Sequence, residues 1–244
     1  MNNSSLRLAH PRDNQLLGAL HQVDFERWQP HLELVDLALG QVLSESGRTP
    51  TFVYFPTTAV VSLVCLTEDG ASSEIGVVGK DGIVGISLFM SGNAMPVESV
   101  VQSAGQGYRM RAHAFKSEAD GPGPILVMLM RYVHDLMGQV AQTAACNRYQ
   151  SIEQLLSRRL LMGLERLPAN PLLMTQELLA TLLGVRREGI TAAALKLQKD
   201  GAIRYSRGRI EVLDRELLAQ RTGERLTTRA HQSIAESSGM ATAA

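Results

Sequence analysis

The sequence predicts an α+β fold in which a β-rich N-terminal part and a helical C-terminal part are joined by one long helix. Short apolar and β-branched runs alternate with turn signals from residue 34 to 110, which is the pattern of an antiparallel roll or sandwich. A helical apolar period runs from 125 to 147, and two short amphipathic segments followed by a hairpin pattern occupy 175–212. The last arrangement is that of a winged helix-turn-helix, and 244 residues with 45% hydrophobic side chains leave room for both domains.

The β-rich domain is predicted over residues 11–122. Residues 1–10 are polar and are expected to form a mobile N-terminus, and two short helices are predicted at 14–20 and 24–32. Apolar and β-branched runs then predict strands, of which the clearest are 53–55, 59–66, 74–78 and 99–101. The sequence Gly-Pro-Gly-Pro at 121–124 ends the domain, because glycine and proline both interrupt regular structure.

A long helix is predicted over 123–149, and its apolar residues indicate a dimer. Five side chains recur at alternating spacings of three and four, as in a coiled-coil seam, namely Leu126, Leu129, Val133, Leu136 and Val140. The alternative is that this stripe packs only against its own β-rich domain. We favour a shared use, in which one face covers that domain and the seam meets the same helix of a second copy, giving a homodimer.

A winged helix-turn-helix is predicted over 150–219, followed by a disordered tail over 220–244 that is rich in Thr, Ser and Ala. Thr175 is a suitable N-cap for the first helix of the motif, and Gly184 allows a sharp turn into the second. The predicted buried face of the second helix is Ile190, Ala193, Ala194 and Leu197. A basic hairpin, the wing, is predicted at 203–212.

The charges of this motif suit double-stranded DNA. Arginine can donate two hydrogen bonds to guanine, glutamate can accept one from cytosine, and wing arginines can hold phosphates. The residues predicted to contact DNA are Arg186, Arg187, Glu188, Thr191, Lys196, Arg204, Arg207 and Arg209. We expect Arg187 and Glu188 to read bases, and most of the others to hold the backbone. The alternative is an ordinary helical hairpin with solvated charges, but the wing and the Arg-Arg-Glu start favour DNA.

The net charge of zero hides an asymmetry between the two parts of the chain. Residues 1–122 carry eight Lys/Arg and thirteen Asp/Glu, a net charge of −5, whereas residues 151–213 carry ten and six, a net charge of +4. One basic domain joined to an acidic one is expected when only one end of a protein meets a polyanion.

The second helix of the motif begins with Arg187 and Glu188 and continues to Thr191, which is an Arg-Glu-x-x-Thr pattern. In this pattern the chain resembles the Crp/Fnr superfamily of bacterial transcription regulators, although Ala192 stands where several members have another arginine. The predicted order of elements is similar to the family from 14 to 213. The resemblance implies a cyclic-nucleotide-binding-like jelly roll, a dimerisation helix and a winged helix that binds a palindromic operator, with RNA polymerase as a further candidate partner.

The resemblance also allows the family's nucleotide pocket to be compared residue by residue. Members that bind a cyclic nucleotide carry Gly-Glu for the ribose and Arg-Ser for the phosphate, and here the aligned pairs are Gly85-Ile86 and Glu98-Ser99. Isoleucine cannot accept the ribose hydrogen bond, and a carboxylate would repel the phosphate. We therefore expect a degenerate pocket and an unknown or absent effector. The alternative is a regulator that responds to a cyclic nucleotide or another small ligand in the roll.

Other function classes find little support in the sequence. No phosphate-binding loop, dinucleotide fingerprint or nucleophile–base motif is present, so no enzyme is expected, and a small-molecule-binding enzyme subunit is a distant alternative. No cofactor or metal is expected, because Cys65 and Cys146 are too few for an iron–sulfur cluster. His134, near Met130 and Met137, could face a haem-like ligand, but a surface or packing role is favoured. The lack of a signal peptide and of a membrane span predicts a cytoplasmic protein.

Overall fold

The computed structural model describes residues 9–66, 72–90, 94–166 and 172–222. The segments predicted to be a mobile N-terminus and a disordered tail lie largely outside these residues. Within the described ranges, none of the helices combines the length and the hydropathy that a transmembrane segment requires.

Helices and strands are arranged along the described chain in the predicted order. The helices are α1 (Gln15–Ala19), α2 (Gln22–Trp28), α3 (Ser87–Met90), α4 (Ala112–Ala119), α5 (Pro124–Tyr149), α6 (Ile152–Arg166), α7 (Gln176–Leu183), α8 (Arg187–Lys199) and α9 (Arg215–Arg221). The strands are β1 (Glu33–Leu37), β2 (Val42–Ser44), β3 (Phe52–Pro56), β4 (Val60–Leu66), β5 (Ser72–Val78), β6 (Val97–Ser103), β7 (Gly105–Arg111), β8 (Leu172–Leu173), β9 (Ile203–Ser206) and β10 (Arg209–Val212).

The N-terminal domain is a roll of two antiparallel sheets. One sheet has the strand order β1-β7-β3, and the other has the order β2-β6-β4-β5. Side chains alternate between the two faces of a strand, so each sheet can present an apolar face to the other. Val61, Val78 and Val101 of the second sheet pack with Leu37 and Tyr54 of the first. The predicted α+β class, with antiparallel sheets in its N-terminal part, is confirmed.

A second core joins the outside of the roll to its helices. Trp28 of α2 is fully buried against Phe55 and Phe115, with ring centroids 6.0 and 5.9 Å away. The long helix α5 closes this core, and the Tyr132 hydroxyl donates a hydrogen bond to the Ile83 carbonyl at 2.9 Å. One face of α5 is therefore buried against the roll of the same chain.

The structure corrects the predicted seam of α5 at Leu129. Leu129 is fully buried in the core of the roll, so its side chain is not accessible, whereas Val133 and Leu136 pack against the same core and stay partly exposed. One residue after Leu129 and Leu136, Met130 and Met137 are 56% and 64% exposed. A second apolar stripe has the same alternating spacing and consists of exposed Leu126, Met130 and Met137 and partly exposed Val133 and Val140. Periodicity alone does not distinguish the two stripes, because α5 is apolar on two faces.

The C-terminal domain has one core between α6, the helix-turn-helix and the wing. Leu156 and Leu160 of α6 pack there against Leu179, Ile190 and Ile210. The wing belongs to a small antiparallel sheet of order β8-β10-β9. All four residues predicted to line the buried face of the second helix are buried. Helices α4 and α9 were not predicted, and α9 extends beyond the predicted domain end at 219.

Candidate DNA-binding surface

Local sequence determines the two ends of α7, the first helix of the motif. The Thr175 hydroxyl accepts a hydrogen bond from the Leu178 amide at 3.1 Å, which satisfies one of the free N–H groups at a helix start. Gly184 ends the helix in the left-handed region at φ +63°, which costs a residue without Cβ little strain. Both predictions are confirmed, and the chain re-enters a helix only three residues later, at Arg187.

Close packing and one hydroxyl fix α8, the second helix, in place. A Cβ on Gly189 would lie 2.6 Å from Cδ1 of Ile152, so α8 approaches α6 closely at this point. The Thr191 hydroxyl lies 3.0 Å from Oε1 of Gln176 and 3.0 Å from the Arg187 carbonyl. Thr191 was predicted to contact DNA, and the structure shows that its hydroxyl also ties α8 to α7. Gly189 and Gln176 were not singled out from the sequence.

The start of α8 presents uncompensated charge to solvent. Arg186 is the N-cap, Arg187 and Glu188 follow in the first turn, and all three side chains are exposed. Among the described residues none of the three forms an ion pair. Donors and acceptors at this helix end are thus available to a ligand.

Lys196 is placed differently from the prediction. Its ammonium lies 2.5 Å from Oε2 of Glu153 on α6, and Arg221 of α9 lies 3.1 Å from the other carboxylate oxygen. The helical rotation of nine residues from Arg187 turns Lys196 by about half a circle, toward the flank of α8 that meets α6. Its charge is therefore compensated by Glu153 within the domain, although the side chain stays 59% exposed.

Two of the three wing arginines are exposed and have no ion pair in the described part of the chain, so they are available to bind a ligand. Arg204 pairs with Glu211 across the hairpin at 2.9 Å, whereas Arg207 and Arg209 are exposed without an ion pair in the described part of the chain. Arg207 and Gly208 both have positive φ, +48° and +77°, as the central residues of a type I′ hairpin turn do. The tip of the wing thus carries basic side chains next to the start of α7, because the Gly208 carbonyl accepts from the Met174 amide at 2.9 Å.

The residues aligned with the family's nucleotide pocket do not meet at one polar site. Gly85 has φ +90°, and Ile86 is buried in the apolar core. Ser99 pairs with Leu63 and lies on the inner face of its sheet, whereas its neighbour Glu98 pairs with Val64 and lies on the outer face. Glu98 therefore does not face the interior position where the prediction set it against a phosphate.

A buried ion pair that sequence reasoning missed joins the two domains. Nη1 of Arg159 on α6 donates to Oε1 of Glu74 on β5 at 2.7 Å, and the side chains are 2% and 7% exposed. The Ser62 hydroxyl donates to the second carboxylate oxygen of Glu74. Nearby, the Ser72 hydroxyl donates to the Thr181 carbonyl at 3.3 Å, so β5 also contacts the end of α7. The one available signal was a charged residue within the apolar run 74–78.

The remaining candidate residues are isolated from one another. Cys65 and Cys146 are free thiols, and His134 is exposed on α5. The described ranges contain no group of three or more His, Cys, Asp or Glu side chains that could hold a metal ion.

Comparison with known proteins gives the C-terminal domain a family and most of the chain a fold. Residues 155–221 match the Crp-like helix-turn-helix domain. A transcriptional regulator of the Crp/Fnr family from Eubacterium rectale is similar in structure, with 18% identity, a TM-score of 0.69, and coverage of 86% of this chain and 98% of that one. FixK2 from Bradyrhizobium japonicum has 14% identity and a TM-score of 0.67, covering 78% of this chain and 96% of its own.

A third structure gives the same result. The c-di-GMP responsive global regulator CLP of Xanthomonas campestris has 17% identity and a TM-score of 0.64, covering 80% of this chain and 100% of its own. No curated protein sequence matches the chain. The resemblance drawn from Arg187, Glu188 and Thr191 is confirmed: the chain carries a Crp-like helix-turn-helix domain on the fold of the Crp/Fnr regulators.

Proposed function

We propose that the protein binds a palindromic DNA operator as a homodimer and regulates transcription from it without a cyclic nucleotide. The observation that carries the proposal is the exposed start of α8, where Arg187 and Glu188 have no ion-pair partner in the described part of the chain. Recognition helices present their N-terminal residues to base edges in the major groove. Arginine there suits guanine, and glutamate suits the amino group of cytosine.

Contacts to the DNA backbone come from basic residues around Arg187 and Glu188. Arg186 at the N-cap and Arg207 and Arg209 on the wing are exposed, so they can reach phosphates on either side of the groove. Their number is small, and the domain's net charge is only +4 over residues 151–213. The sequence-independent attraction between this domain and DNA is therefore modest. Specific base contacts and the two-fold symmetry of a dimer have to supply the remaining binding free energy.

The seam of α5 supports a second copy as the partner. The side chains that follow the alternating spacing of a two-helix seam are exposed or partly exposed beside the face of α5 that covers the roll, namely Leu126, Met130, Val133, Met137 and Val140. Pairing of α5 with its symmetry mate would bring two helix-turn-helix motifs to half-sites about one helical turn apart. RNA polymerase is the further partner that a regulator at an operator would act on.

The inner face of the roll supports a regulator that needs no cyclic nucleotide. Apolar side chains dominate between the two sheets, including Val61, Val78 and Val101, the inward-facing Ser99 is uncharged, and Glu98 lies on the outer face. A cyclic nucleotide needs a cation for its phosphate and an acceptor for its ribose. Ile86 has no acceptor at the position aligned with the family's glutamate, and Ser99 carries no positive charge.

Selection of operators from random double-stranded DNA tests the proposal. The purified full-length protein should enrich a palindrome, and its binding should weaken steeply as salt rises. Arg187→Ala should cost about 1–3 kcal/mol and relax the preference at one base pair in each half-site. Arg207→Ala is the matched control, because a phosphate contact should weaken binding to all sequences equally. An unchanged base preference in Arg187→Ala would refute the assignment of Arg187 as a base-reading residue.

A further inference from the structure

The exposed face of α8 changes from charged to apolar after its first turn. Leu195 is 62% exposed, although the apolar face of the helix is already complete with Ile190 and Leu197, both fully buried. Ala192 is exposed as well. Residues three and four apart lie on the same side of a helix, and one exposed stripe therefore runs through Glu188, Ala192, Leu195 and Lys199.

We propose that Ala192 and Leu195 recognise thymine by contacting its C5 methyl group in the major groove. This inference rests on the proposed function, since it requires α8 to lie in the groove. Thymine is the one base with a methyl group on its major-groove edge, and apolar side chains are the groups that pack against it. A leucine there buries apolar surface on both sides of the contact and needs no hydrogen bond.

The geometry of α8 sets the distance between the bases that are recognised. Leu195 lies eight residues after Arg187, which is about 12 Å along the helix axis. Base pairs are spaced about 3.4 Å apart along the DNA axis, so the thymine that Leu195 contacts should lie at most about three to four base pairs from the pair that Arg187 contacts, and closer the more α8 is tilted from that axis. Ala192, five residues after Arg187, should reach a position about two base pairs away.

The charges at both ends of the stripe favour DNA over a protein as the occupant of this apolar surface. The stripe begins beside Arg187 and ends at Lys199, and neither side chain has an ion-pair partner among the described residues. Lys199 is placed to meet a phosphate where α8 leaves the groove. The apolar residues are thus continuous with the proposed base-reading residues and are flanked by cations.

Replacement of thymine by deoxyuridine in the selected operator tests the inference, because it removes the methyl group and nothing else. Affinity should fall about fourfold for each methyl group that is contacted, and about fifteenfold when both half-sites are changed together. In Leu195→Ala the ratio of thymine to deoxyuridine affinity should fall to about one at its position. Leu213→Ala, which truncates a 48% exposed leucine of the same domain outside α8, should keep the wild-type ratio.

The outcomes separate this inference from the proposed function. Failure to enrich any sequence from random DNA would remove the proposed function itself. A selected operator that tolerates deoxyuridine at every thymine would leave the function standing and overturn the inference. So would a Leu195→Ala variant, folded by circular dichroism, that discriminates deoxyuridine as strongly as the wild type does.

Discussion

Replacement of Glu74 by glutamine tests how the roll and the DNA-binding domain are held together. Nη1 of Arg159 and Oε1 of Glu74 are 2.7 Å apart, and the two side chains are 2% and 7% exposed. Glutamine keeps the size of the side chain and one acceptor oxygen, but it removes the negative charge that faces the guanidinium. Removal of one partner of a buried ion pair costs about 3–5 kcal/mol, because the other charge stays buried. We expect Glu74→Gln to lower the free energy of unfolding by about that amount.

Urea denaturation provides the assay, with two probes. Trp28 is the single tryptophan and is fully buried in the roll, so its fluorescence follows that domain, whereas far-UV circular dichroism follows the helices of both. Glu165→Gln is the matched control. Glu165 and Arg215 are 3.5 Å apart and 43% and 60% exposed, and an exposed pair contributes less than about 1 kcal/mol.

A double variant separates charge from packing. Apolar replacement of a buried ion pair is often neutral or stabilising, so Glu74→Leu combined with Arg159→Met should recover most of the stability that either single change removes. The reasoning is refuted if Glu74→Gln costs no more than Glu165→Gln, or if the double variant is as unstable as the sum of its parts.

Two further predictions concern assembly and ligand binding. Met137→Glu should give a folded monomer, because it places a carboxylate in the proposed seam between two copies of α5, whereas Leu129→Glu should unfold the roll. Sedimentation detects the monomer and circular dichroism detects the unfolding. A wild-type protein that is already monomeric at micromolar concentration would contradict the prediction for Met137→Glu. Cyclic AMP should not bind to the roll, because the interior beside Ile86 is apolar, and a micromolar dissociation constant by isothermal calorimetry would show otherwise.

Elements with local signals could be predicted from the sequence. Thr175 caps α7 through its own hydroxyl, and Gly184 ends it through its own backbone freedom, so neither depends on distant residues. The wing follows from the turn residues Arg207 and Gly208. The short helices α4 and α9 carry weaker local signals, because helices of this length are stabilised by tertiary packing rather than by propensity.

Features that depend on how distant parts of the chain pack together could not be predicted from the sequence. Leu129 and Met130 are adjacent and both apolar, and only the position of the roll decides which of them is buried. The side of the sheet on which Glu98 lies depends on strand register, and a shift of one residue reverses it. Glu74 and Arg159 are 85 residues apart in sequence, so no local pattern connects them.

The contact between the domains also bears on the operator. The DNA-binding domain contacts β5 of the roll at two points. Glu74 of β5 forms an ion pair with Arg159 of α6, and Gly184 at the end of α7 lies so close to β5 that a Cβ on it would be 3.2 Å from the Ser72 carbonyl oxygen. These contacts fix α8 relative to α5, and hence the distance between the two recognition helices of a dimer. The residues that we propose to read bases, by contrast, lie entirely on α8. Glu74→Gln should therefore leave the selected bases unchanged while broadening the spacing between half-sites in selected operators. Unchanged spacing in a folded, dimeric variant would show that the connection between α5 and α6 alone sets this distance.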